Sequence, residues 1–290
     1  MDKPEFVWLN DDLVPLDQAR VSVNDRGFQY GDGLFETIRA EAGRLYFLRE
    51  HLTRLEASAK AFRLPFPGDL PWEAHLNRLL TVNGLDRGMA RVKILLSRGA
   101  VAGLGLPAAS RPTLVIWAQP YEPPPPAEYA AGWPVVTFPE RRTTFLGRHK
   151  SLNYLFYLTA RQYALERGGR EALILEADGL LSEGAATSLV YLRRGVHCTP
   201  AAASALPGVT QAALARALAR QGLSLEAIPT DPLRVRQAEG VWLANALLGL
   251  MPVASIDGQE IPISEKSDSL RESLWAEAGR KELTCKSGKI

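Results

Sequence analysis

The chain has 290 residues, 46% hydrophobic and 23% charged, the make-up of an ordinary globular protein of one or two domains that can bury a substantial core. Thirty-four basic residues stand against thirty-two acidic ones for a net charge of +2, with neither sign gathered into a run, which argues against nucleic acid or an anionic membrane as the main partner. Cys198 and Cys285 lie far apart and form no C-x-x-C pair, which disfavours a disulfide framework or a cysteine zinc site and fits a reducing cytoplasm.

The opening MDKPEFVWLND has no apolar region behind a basic one, and no apolar run is long enough for a membrane span, so the sequence reads as a soluble, unexported protein. FVWLN and LVPL flank Asp11-Asp12 like a hairpin, and LFETIRA and RLYFL flank Glu41-Ala42-Gly43 like a second. From Arg49 the apolar positions Leu52, Leu55, Ala59 and Phe62 step by three and four, one buried helix face, with Arg54 and Arg63 off that stripe. A second helix is expected over Trp72 to Val82, then strands at RVKILLS and TLVIWAQ. The prolines of Glu122 to Ala127 cannot continue a helix or a central strand and mark a stiff, extended linker over 122–129. This division predicts a small N-terminal α+β domain at 1–121 and a larger C-terminal domain at 130–290.

Beyond the linker, WPVVTF reads as a strand and Asn153 to Glu166 as a helix stopped by Gly168-Gly169. EALILEA and GLLSEG flank Asp178-Gly179, a strong hairpin signal, and SLVYL turns at Arg194-Gly195 into VHCTP. Gly208-Val-Thr210 opens a helix that runs to Arg220 and closes at Gly222; residues 241–247 read as a buried strand, and the tail from Ser264 as a polar helix. The four histidines show no metal-ligand spacing, and Gly31-Asp-Gly33 is only a fragment of a dinucleotide fingerprint, so metal catalysis and nucleotide-linked redox chemistry both lack a motif.

A lone lysine is ordinarily a solvated surface side chain, a lone glutamate such as Glu183 can simply accept hydrogen bonds in a turn, and Arg54 could pair with Glu50 one helical turn earlier. The joint order changes that reading: RGFQYGDGLFETIR at 26–39, EHLTRL at 50–55, KSLNY at 150–154, LSEGAATS at 181–188 and LPGVT at 206–210. Together they resemble the class IV aminotransferases that depend on pyridoxal 5′-phosphate, over nearly the whole chain. The resemblance implies a two-domain α/β (α+β) fold like that of D-amino acid aminotransferases, with the cofactor at the domain interface, and a homodimer.

It also implies roles. Lys150 would form the Schiff base and later serve as acid and base, which requires a neutral amine. Glu183 would contact the ring nitrogen, favouring the protonated ring. Arg54 would anchor the phosphate, with Val209 and Thr210 offering backbone N–H groups and a hydroxyl at a helix N-terminus. Tyr154 would meet the cofactor's phenolic oxygen, its rival role being core packing. Asn245 and Ala246 would complete the cofactor site. The segment Asn245-Ala-Leu-Leu-Gly-Leu-Met-Pro-Val253 is most similar to the 4-amino-4-deoxychorismate lyases, which release pyruvate and yield 4-aminobenzoate for folate biosynthesis. Thr37 sits where those lyases carry a threonine able to protonate the leaving group; as a β-branched strand residue it has a packing role as its rival. The alternative within the family is an aminotransferase for branched-chain or D-amino acids, with Arg91 or Arg39 binding a substrate carboxylate. Arg98 to Pro107 lacks both the arginine and histidine carboxylate trap of D-amino acid aminotransferases and the second arginine usual in the lyases, and Ser188 stands where asparagine is common.

Overall fold

The computed structural model describes residues 5–109 and 111–279, so Cys285 lies outside the described residues. β1 (Phe6–Leu9) and β2 (Asp12–Pro15) form the first expected hairpin, turning at Asn10, whose φ of 56° is a left-handed conformation that asparagine tolerates. A five-residue helix absent from the sequence expectations, α1 (Arg26–Tyr30), follows; it is too short for periodicity to reveal, and the Asp25 carboxylate caps it by accepting from Gly27 N–H. β3 (Gly33–Glu41) and the two-residue β4 (Arg44–Leu45) make the second hairpin, followed by α2 (Leu48–Ala61), α3 (Trp72–Val82), β5 (Met89–Ser97) and β6 (Thr113–Pro120).

These six strands form one sheet in the order β2-β1-β6-β5-β3-β4. The apolar faces of α2 and α3 supply Leu55, Leu76 and Leu79 to a core with Ile38, Ile94 and Ile116 of the sheet. Each such aliphatic side chain contributes about 1.5–3 kcal/mol when fully buried.

The proline-rich stretch departs from expectation. Residues 121–125 belong to no helix or strand, with Pro125 extended, but Pro126 begins a short helix, α4 (Pro126–Ala131), because proline is accepted in a first helical turn, where its missing N–H has no helical partner anyway. The extended linker therefore ends at Pro125.

After α4 come β7 (Trp133–Thr137), α5 (Leu155–Leu165), β8 (Glu171–Leu175), β9 (Leu181–Gly184), β10 (Ser188–Arg193), β11 (Val196–Pro200) and α6 (Val209–Arg220). The chain continues through β12 (Leu225–Ile228), α7 (Pro232–Arg236), β13 (Gly240–Asn245), β14 (Gly249–Ile256), β15 (Gln259–Glu260) and α8 (Ser267–Ala278). The second sheet runs β12-β11-β10-β13-β14-β7-β8-β9, with β15 beside β14.

Two expectations change here. The strand expected over 241–247 stops at Asn245 and returns through a turn into β14, which sequence reading did not find. Pro252 concealed it: proline is scarce in central strands because it cannot donate to the ladder, and here it lies beside a register shift between Val253 and Ser255. The helix expected from Asn153 starts at Leu155, with Tyr154 at its cap. The polar tail helix α8 still buries Leu270 and Leu274 in a cluster that α6 shares. Among the described residues no helix is long and apolar enough to cross a membrane.

Candidate active site

β4 pairs only with Ala40 and Glu41, leaving the first part of β3 with an open edge. The segment after the 3-10 turn Phe145–Arg148 occupies it: Phe35 N–H donates to Lys150 O (2.8 Å), Leu152 N–H donates to Gly33 O (2.9 Å), and Leu34 and Ser151 form an isolated antiparallel bridge. The preceding turn lies so close to Ser204 O that any side chain at Gly147 would collide with it.

Lys150 is thereby held in a cavity of about 330 Å³, its Nζ 4.7 Å from the centroid of the Phe35 ring and 5.8 Å from that of Tyr154. Burial, reinforced by Arg54 and opposed by Glu36 and Glu183, lowers its amine from the ordinary 10.5 to about 8. His149 also lines the cavity.

Glu183, on β9, faces the same cavity and is buried. Its Oε1 accepts from the Tyr157 hydroxyl (2.9 Å) and its Oε2 from Leu206 N–H (3.1 Å). Burial still prevails over these donors and over Lys150, raising the carboxyl to about 7. Tyr154 stacks on Tyr157 (ring centroids 5.1 Å apart) and donates from its own hydroxyl to Ala185 O (2.9 Å).

One end of the cavity joins α2 to the start of α6. Arg54 does not meet Glu50, which pairs with Arg216 instead; its Nε and Nη2 grip the two oxygens of Glu36 at 2.7 and 2.6 Å, and its Nη1 donates to Pro207 O (2.9 Å). Glu36 also accepts from His51 Nδ1 (2.7 Å). Burial works against the Glu36 charge, but Arg54 and His51 more than offset it, holding the carboxyl down to about 2. His51 Nε2 is buried without a partner. At α6, Gly208 is the N-cap and no side chain caps the helix, so the first backbone N–H groups, with Val209 and Thr210 on the cavity wall, remain available to a ligand. A side chain at Gly208 would collide with the Ser188 hydroxyl, which gives glycine at 208 a steric reason, whereas nothing in the structure explains serine at 188.

On the first sheet, Thr37 of β3, Lys93 of β5 and Trp117 of β6 lie side by side in register and all line the cavity. Arg91 lines it as well, exposed and donating to Gln119 Oε1 (2.7 Å). Burial and Arg91 lower the Lys93 amine. Asn245 and Ala246 enter from the β13–β14 turn, where Asn245 Oδ1 accepts from Leu247 and Leu248 N–H and Nδ2 donates to Ala186 O.

Arg39 corrects the expectation for it. It is absent from the cavity wall, buried under Trp275 with its Nη1 donating to Leu247 O (3.1 Å) and its Nη2 paired with Glu41. The stretch from Arg98 to Pro107 also stands apart, because Arg98 is fully buried on Asp32 and on the carbonyls of Phe62, Arg63 and Pro107.

Sequence reasoning missed Glu36, His51, Lys93, Trp117 and Tyr157. Glu36 and His51 lie inside the quoted FETIR and EHLTRL motifs, and Tyr157 follows Tyr154, the cap residue of α5, by three residues, a spacing that places both on one face. Lys93 and Trp117 carried no signal short of the strand register itself.

Residues 33–256 match the family described as amino-transferase class IV. The chain is 30% identical over 88% of its length to a branched-chain-amino-acid aminotransferase-like protein of Arabidopsis thaliana, of which it spans only 47%. It is 28% identical to a D-alanine aminotransferase of Bacillus licheniformis, covering 88% of this chain and 89% of that one. In structure it is similar to a T.th. branched-chain amino acid aminotransferase with pyridoxamine 5′-phosphate, at a TM-score of 0.86, 26% identity, and 97% and 96% of the two chains covered.

Proposed function

The chain belongs to the class IV aminotransferase family, and from that premise we propose that it is an aminotransferase for branched-chain or D-amino acids, working with pyridoxal 5′-phosphate. The observation that carries this reading is a buried lysine with its amine lowered to about 8, sharing one cavity with a buried glutamate and an uncapped helix N-terminus.

The residues present fit the cofactor. Arg54 and the first N–H groups of α6 suit a phosphate, the unpartnered His51 Nε2 marks a buried polar position on the same wall, and Glu183 suits a protonated ring nitrogen. When bound, the cofactor supplies an aldehyde for the substrate amine and a ring that takes up electrons. Lys150 Nζ, neutral in an appreciable fraction near its pKa of about 8, takes the proton from the substrate carbon that carries the amine. Tyr154 closes the cavity beside it, and Phe35 and Trp117 shield the reacting centre from water. Arg91 offers a guanidinium to a substrate carboxylate.

A second reading, elimination of pyruvate from 4-amino-4-deoxychorismate, is favoured by Thr37 and by the two cations Arg91 and Lys93 on the same wall. The relatives reported above carry aminotransferase names, which supports transfer over elimination. Incubation with leucine or D-alanine plus 2-oxoglutarate, and separately with aminodeoxychorismate made in situ by its synthase, decides between them. Amino transfer without 4-aminobenzoate supports the proposal; stoichiometric pyruvate and 4-aminobenzoate would replace it with the second reading.

We assign residues 1–121 and 130–290 to two domains, each built on one sheet, with the pocket between them. A homodimer is supported by the exposed apolar side chains Phe28 (77%) on α1 and Leu155 (76%) on α5, two helices brought together where Asn153 donates to Gly31 O. Light scattering that found a fully active monomer would remove that assignment.

A further inference from the structure

Glu183 has a donor on each oxygen, and the two donors come from different elements. Leu206 N–H belongs to the loop before α6 and survives any substitution except proline; the Tyr157 hydroxyl comes from α5 and is, among the described residues, the side chain that donates to this carboxylate. A carboxylate turns easily about its last torsion, so one donor leaves its plane undetermined, whereas two donors on separate rigid elements fix it.

The surroundings make the second donor decisive. Glu183 is buried, the buried carboxylate of Glu176 pushes it further toward neutrality, and Leu206 N–H, Tyr157 and Lys150 act in the other direction. Tyr154 and Arg161, one turn beyond Tyr157 on α5, line the same cavity, and the buried Glu171 of β8 also acts on Tyr154. The Tyr157 phenol remains a donor across the working range, since burial and Glu183 both push its own ionisation up. Its ring is held independently of the hydroxyl, stacked on Tyr154 and with the Arg142 guanidinium 5.2 Å from its centroid.

We propose that Tyr157 is a positioning residue for Glu183, its hydroxyl fixing the carboxylate's plane and favouring its charged form in the cavity it shares with Lys150. What Glu183 then does to a bound ring rests on the cofactor reading above; the geometry of the pair does not. Each Glu183 oxygen keeps a second lone pair after its protein donor is satisfied, so the oriented carboxylate can still accept from a ring N–H.

The test uses the full chain. Infrared difference spectra against Glu183→Gln isolate the Glu183 carboxyl band and give its titration midpoint without cofactor. Tyr157→Phe keeps the ring and removes the donor, and the midpoint rises from about 7 by roughly one pH unit or more, the scale of a hydrogen bond to a charged group. Placing 3-fluorotyrosine at 157 preserves shape and strengthens the donor, and the midpoint falls; this variant carries the test if Tyr157→Phe does not fold. With ¹⁵N-labelled pyridoxal 5′-phosphate bound, the ring nitrogen of Tyr157→Phe moves toward its unprotonated chemical shift. Midpoints in both variants that coincide with that of the unaltered chain would overturn the proposal. A shifted midpoint in a chain that never binds pyridoxal 5′-phosphate would uphold the Tyr157 role and defeat the cofactor reading.

Discussion

Glu36 grips Arg54 with both carboxylate oxygens, at 2.7 and 2.6 Å, although one residue lies on β3 and the other on α2. The pair is buried, and breaking such a pair by removing one partner leaves an uncompensated charge, a loss of about 3–5 kcal/mol. Glu36→Ala is therefore expected to lose stability on that scale in urea denaturation. The native carboxyl titrates at about 2 against an ordinary value of 4.5, so its contribution is complete above pH 4.5 and is lost as pH falls toward 2. The difference in stability between the parent and Glu36→Ala should narrow across that interval; a constant difference would refute the assignment.

Arg54→Ala is expected to weaken pyridoxal 5′-phosphate binding by about 1.5–3 kcal/mol, the scale of a charged hydrogen bond. Equilibrium dialysis measures it. Unchanged affinity would leave Arg54 with a structural role toward Glu36 alone.

Borohydride added after pyridoxal 5′-phosphate is expected to fix the label on Lys150, as peptide mapping will show. The coupling rate of the cofactor-free chain should rise to a plateau through pH about 8, because the reacting species is the neutral amine and burial has brought its midpoint down from 10.5. The same displacement acts on stability. Between about 8 and 10.5 the folded chain binds fewer protons at Lys150 than the unfolded chain, so this group makes stability rise with pH there, a slope that Lys150→Met should lack.

Arg91 and Arg39 part company in kinetics. Arg91 lines the cavity, and Arg91→Gln should raise KM for the amino acid about tenfold or more, the effect of one lost charged hydrogen bond. Arg39 is spent on Leu247 O, Glu41 and Trp275, so Arg39→Gln should lower thermal stability while leaving KM nearly unchanged. A KM effect confined to Arg39→Gln would reverse the two assignments.

Thr37→Val separates the two reactions. The hydroxyl is expected to matter little to amino transfer, whereas an elimination that uses it as a general acid should slow by about 10²–10⁴-fold.

Lys150, Glu183 and Arg54 were legible because each sits in a short motif whose order along the chain is informative even when the single residue is not. Their partners were not, for a geometric reason. Glu36 reaches Arg54 and His51 across a strand-to-helix packing contact that no local spacing encodes, and Lys93 meets Thr37 only through the β3–β5 register. The helices and hairpins followed their periodicity closely, whereas β14 and α4 were hidden by Pro252 and Pro126, residues whose usual exclusions have positional exceptions. Arg39 misled because alternation along β3 puts it on the same side as Thr37, and only the covering turn at Leu247 removes it from the cavity.

The backbone bond from Phe35 to Lys150 O joins opposite halves of the chain, so the lysine proposed to react reaches its place only after a large loop has closed. Contacts so distant in sequence form late in folding, and a chain with only its first sheet assembled would have Phe35 and Thr37 in place and nothing to present to an aldehyde. Recovery of cofactor absorbance during refolding thus reports the final docking step, and truncated or misassembled chains would be colourless however well their individual sheets had formed.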